Sequence, residues 1–148
     1  MRAAVLALAL AAGLLAASAL GSSYTLTVTG DDGQRLWSLP VRPGDAAVLA
    51  YTNSIYLAPT EERFVMSPDG LTLTAVRSTS QAVLAYNGLA GPYRSEGPFY
   101  SASAAAQLPQ LILRIGHTGR QRLIVGGRVL PLYAAGEGAR LRVAVERR

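Results

Sequence analysis

Two patterns of apolar and polar positions divide the chain. Ala3 to Leu20 is apolar throughout except for Gly13 and Ser18. From Tyr24 onward the apolar residues come in short runs separated by Gly-, Pro- and Asp-containing turns. The first run has no polar face, so it does not read as an amphipathic helix docked on a soluble core. Arg2 precedes it, and the small residues Ala17-Ser18-Ala19 close it. That is the layout of a secretory signal, with Leu20 as the first mature residue. If retained, the same run sits at the lower limit of a membrane span, which needs about 17–25 residues. The expected organisation is a signal peptide or N-terminal membrane anchor over residues 1–19. Residues 20–148 then form a single β-rich extracytoplasmic domain.

Closely spaced short runs predict an all-β fold, a small antiparallel sandwich or barrel-like domain. Tyr24 to Thr29 alternates Thr with apolar residues and predicts a strand with one wet face. Gly30-Asp31-Asp32-Gly33 predicts a turn and Arg35 to Leu39 the returning strand, with corners at Pro40 and Pro43-Gly44-Asp45. Ala46 to Thr52 reads as a more buried strand. Thr60 to Met66 and Leu71 to Arg77 flank Ser67-Pro68-Asp69-Gly70, where Pro presets φ and Gly accepts a positive φ, so they read as a hairpin. Gln81 to Tyr86 reads as a further strand, Asn87 to Gly97 as loop, and Ala102 to Ala106 as one helical turn. Strands resume at Leu111 to Ile115, Arg122 to Val125, Arg128 to Leu132 and Arg140 to Val145. Gly126-Gly127 signals a two-residue hairpin. In the last strand Leu141, Val143 and Val145 point one way and Arg140, Arg142, Ala144 and Glu146 the other. That pattern reads as a solvated edge strand guarded by charge.

Composition narrows the chemistry. The chain has 148 residues, a net charge of +5 and no cysteine. Disulfides, thiolate metal sites and cysteine nucleophiles are therefore excluded. Every basic residue is arginine, and apart from the C-terminal cluster the arginines are scattered. Nucleic-acid binding asks for a concentrated basic stripe, so no nucleic-acid partner is expected. His117 is the only histidine and lies in the turn Gly116-His117-Thr118-Gly119. No G-x-S-x-G elbow, P-loop or dinucleotide fingerprint is present. No catalytic residue, metal ligand or cofactor site is assigned, and the chain does not read as an enzyme.

The most unusual stretch runs from Tyr51 to Phe64. A period of two places Thr60, Glu62, Phe64 and Met66 on one strand face. If that face is the core, Glu62 needs a hydrogen-bond partner or must stay protonated. Leu49, Tyr51 and Asn53 share a face of the preceding strand. Asn53 or the Tyr51 hydroxyl is then the expected partner. The cluster reads either as a polar corner of a ligand pocket or as a structural network at the Pro59 corner. A small hydrolase using Ser54 beside Glu62 is a weaker alternative, because it has no base.

These residues resemble a family of small exported proteins, domain of unknown function 1850. Its pattern is similar to Tyr51-Thr52-Asn53-Ser54-Ile55, then Ala58-Pro59-Thr60, then Glu62-Arg63-Phe64, with Asn53 where the family carries histidine. Gly88-Leu89-Ala90-Gly91-Pro92 looks like a variant of a downstream glycine loop of that family. The resemblance implies binding residues at Tyr51, Asn53, Ser54, Glu62 and Gly88. It also implies a periplasmic or cell-envelope accessory role beside TAXI-type TRAP transporters, with their solute-binding protein or membrane subunit as partner. Asn53 cannot titrate, so a proton-linked role of the family's histidine does not carry over. The alternative is a structural cell-envelope domain without a ligand. In either case the membrane is met only through the N-terminal segment, if that is uncleaved.

Overall fold

A computed structural model describes residues 23–148. The expected signal or anchor segment, with its expected cleavage site, lies outside the described residues. Among the described residues eleven strands form two antiparallel sheets. They are β1 (Tyr24–Gly30), β2 (Arg35–Val41), β3 (Ala46–Asn53), β4 (Ala58–Ser67), β5 (Gly70–Ser78), β6 (Arg94–Glu96), β7 (Phe99–Leu108), β8 (Gln110–Arg114), β9 (Arg122–Val125), β10 (Arg128–Leu130) and β11 (Arg140–Arg147). One sheet has the order β2-β1-β11-β8, the other β10-β9-β3-β4-β5-β7-β6. The all-β expectation is met, and the architecture is a small sandwich.

Alternation supplies the core. Leu26 and Val28 on β1, Leu141 and Val143 on β11, Leu49 on β3, and Phe64 and Met66 on β4 are buried in one cluster between the sheets. Both expected hairpins form. Only Pro68 and Asp69 separate β4 from β5, and Gly126-Gly127 joins β9 to β10 with both φ angles positive. Gly70 is required by space as well as by φ. A Cβ there would run into the carbonyl oxygen of Leu108.

Several expectations are overturned. Gln81–Tyr86 is a helix, α1, not a strand. It buries Val83 and Leu84, and Leu84 packs against Val76 and Ala102 on β5 and β7. Asn87-Gly88 stops it in a Schellman motif: Gly88 N–H donates to the Ala85 carbonyl at 2.9 Å and Leu89 N–H to the Leu84 carbonyl at 3.0 Å. Ala102 to Ala106 is not a helical turn but part of β7, paired along β5. The Asn87–Gly97 loop includes β6. Pro40 lies inside β2, an edge strand, where a missing N–H is tolerated. The strand from Arg128 stops at Leu130, and a 3-10 turn takes over from Leu132 to Ala135.

The last strand is not an edge. β11 lies between β1 and β8. Nor is the threonine face of β1 wet, because Thr25, Thr27 and Thr29 are buried. Arginine side chains roof it: Arg148 Nε donates to Thr25 Oγ1 at 2.8 Å and Arg142 Nε to Thr29 Oγ1 at 3.4 Å. Long guanidinium stems can cover a sheet in this way while the heads stay wet. Glu146 ties the roof together, accepting from Arg35 at 3.0 Å and Arg142 at 3.2 Å.

Candidate functional site

β3 and β4 form the antiparallel pair that carries the unusual stretch, with Tyr51 opposite Thr60 and Leu49 opposite Glu62. Tyr51 and Glu62 are thus diagonal neighbours on the inner face, within reach for a long aromatic side chain. The Tyr51 hydroxyl donates to Glu62 Oε1 at 2.8 Å. Both groups are half-buried. Burial pushes the Glu62 carboxyl above the usual carboxylate range, while the Tyr51 hydrogen bond pulls it back. Tyr51 is pushed far above its ordinary value, first by burial and then by the charge and hydrogen bond of Glu62. Of the two partners the sequence offers Glu62, the tyrosine is the one used.

Asn53 serves the backbone instead. Its Oδ1 accepts from the N–H groups of Ile55 and Tyr56, each at 3.0 Å. This Asx arrangement folds Ser54–Leu57 into a tight turn at the tip of the β3–β4 hairpin. Ser54 lies exposed in that turn. Leu57 takes φ +50°, sparse territory for a branched side chain. The turn therefore holds its apolar side chains outward: Ile55, Tyr56 and Leu57 are 57%, 42% and 69% exposed. Tyr56 meets the Tyr86 ring of α1 edge-on, with centroids 6.2 Å apart, and Tyr86 is itself exposed. Gly88 ends α1 just beyond Tyr86 as a backbone cap, with an exposed surface.

A second feature lies on the outer face of the larger sheet. A cleft of about 450 Å³ opens there, lined by Ala50, Thr52, Pro59, Glu61, Phe99, Arg120, Arg122 and Tyr133 among others. Its floor is low because Ala50 sits directly between Arg122 on β9 and Glu61 on β4. One wall is formed by Glu61 and Phe99, and behind it Arg77 Nε donates to Glu61 Oε2 at 2.8 Å with its guanidinium 4.4 Å from the Phe99 ring centroid. That bond to Glu61 is the main reason the Arg77 pKa is raised. On the other wall Arg120 stacks 4.8 Å over Tyr133. The loop bearing Arg120 is pinned to β3 by Thr52 N–H donating to the Gly119 carbonyl at 2.8 Å.

The sequence brings Tyr51 and Glu62 together correctly. It does not single out the arginines, because a cross-strand row shows only when the register is known. His117 is 86% exposed, with Nδ1 3.6 Å from Glu137, in keeping with a surface turn residue. Compared with known proteins, the chain matches no family model, no curated protein and no solved structure.

Proposed function

We propose that this protein is a non-enzymatic extracytoplasmic accessory domain. In this reading it docks on a protein partner through the hairpin tip Ile55–Leu57 together with Tyr86. The observation that carries the reading is the exposed apolar tip. Three consecutive large apolar residues with an adjoining tyrosine face solvent on a turn that Asn53 holds in shape. Contiguous apolar surface of this kind marks an interaction site, and aromatic anchors dominate such interfaces. The resemblance over Tyr51 to Phe64 suggests which partner. It is the TAXI-type solute-binding protein or the membrane subunit of a TRAP transporter, met in the periplasm or cell envelope. The tip lies inside the stretch that carries that resemblance.

The test is co-purification of the full chain with those transporter components from envelope extract. Leu57→Asp and Ile55→Asp alter only exposed positions, so the thermal midpoint should hold while partner recovery falls at least tenfold. Equal recovery with the charged tip refutes the reading. One observation favours the alternative, a structural domain without a ligand, for the inner corner alone. Tyr51 and Glu62 satisfy each other there, which is a stabilising bond and not an open binding site.

A further inference from the structure

We propose that the outer-face cleft is a binding site for a small organic carboxylate, held by the guanidinium groups of Arg120 and Arg122. The charges of the two walls differ in kind. On one wall the lining carboxylate of Glu61 is neutralised by Arg77 at 2.8 Å, and Arg77 lies 3.8 Å from Glu96 as well. Arg120 and Arg122 have no carboxylate at ion-pair distance among the described residues. Two uncompensated guanidinium groups lining one concave site favour an anion, and the planar fork of arginine matches a carboxylate.

The volume of about 450 Å³ falls in the range of small-molecule sites. The floor between Arg122 and Glu61 is Ala50, with Pro59 beside it, so a short carbon body can rest on apolar surface between the two walls. That apolar floor favours an organic carboxylate over inorganic phosphate. Arg120 also carries backbone strain. Its φ of +44° is unusual for a non-glycine residue, and such strain gathers at ligand sites where the side chain is needed. Tyr133 packs against the guanidinium, and the Thr52–Gly119 backbone bond fixes the loop that carries it before a ligand arrives.

The site is separate from the apolar tip, so this inference stands or falls independently of the docking reading. The experiment titrates the isotopically labelled full chain with benzoate, succinate, 2-oxoglutarate and inorganic phosphate at constant ionic strength, following backbone amides by NMR. The expected result is saturable shifts at Thr52 and Gly119 to Arg122 with at least one carboxylate, weaker with phosphate. Arg122→Gln should weaken that binding at least tenfold. Arg120→Gly should do the same while folding normally, because glycine accepts the positive φ. The inference is overturned if no carboxylate moves these amides at concentrations on the order of 10 mM. It is equally overturned if phosphate binds more tightly than every carboxylate, or if binding survives both substitutions.

Discussion

At the residue scale, Glu62 carries the clearest energetic consequence. Burial raises its pKa above the ordinary 4.5, so the folded chain holds the proton more tightly than the unfolded one. The associated stability is full below the unfolded value and is lost as pH rises through the folded value. Glu62→Gln removes that loss while keeping an acceptor for Tyr51. Thermal unfolding should find the variant equal to the parent at acidic pH and at least as stable above neutrality. A clear loss of stability at alkaline pH would contradict the assignment. Tyr51→Phe removes the hydrogen bond that lowers the Glu62 pKa. It should cost about 1 kcal/mol, the low end for an orphaned acceptor because the pair is half-buried, and steepen the pH dependence. Both residues were legible in the sequence because a period of two fixes which side chains share a face. The role of Asn53 was not. Its side chain turns to its own backbone, a local option always open to Asn and invisible to face patterns. Asn53→Ala should leave the core intact and speed hydrogen exchange at the Ile55 and Tyr56 amides. Unchanged exchange at both would show that the Asx bonds do not hold the tip.

At the scale of elements, most strands and both tight hairpins follow from alternation and turn residues. The errors share a cause. Gln81–Tyr86 is too short for helical and strand periods to be separated, and its decisive signal is the Asn87-Gly88 stop, here a Schellman motif. Ala102 to Ala106 has high helix propensity but is captured by pairing along β5, a tertiary contact that local preference cannot register. β11 looks like an edge because its charged face lies outward, yet both neighbours in its sheet are distant in sequence or connected by long excursions. Two glycines distinguish conformational from steric demand. Gly88→Ala meets open space at φ +74° and should cost about 1 kcal/mol. Gly70→Ala combines a positive φ with the Leu108 carbonyl and should cost clearly more. Denaturant melts of the two variants give the comparison, and a similar loss in both would remove the steric claim.

At the scale of the whole molecule, the two sheets present different surfaces. The smaller one is closed over by arginines whose partners lie within the chain, Glu146 and the threonines of β1. The larger one carries the open cleft, and its β3–β4 hairpin ends in the apolar tip. Neither the cleft nor the tip could be read as a surface from the sequence. The cleft arises where β3, β4 and the loop bearing Arg120 meet, joined by the Thr52–Gly119 backbone bond, and the tip where the β3–β4 turn meets Tyr86 of α1. The central claim is that the tip is a docking surface. The most direct measurement is site-specific photocrosslinking in the native envelope, with the reactive group at Leu57 and a control at Asp31, which is exposed in the turn of the opposite sheet. The account predicts a discrete adduct from Leu57 to a TAXI-type solute-binding protein or a TRAP membrane subunit, and none from Asp31. Absence of an adduct at Leu57, or the same adducts from both positions, would contradict it.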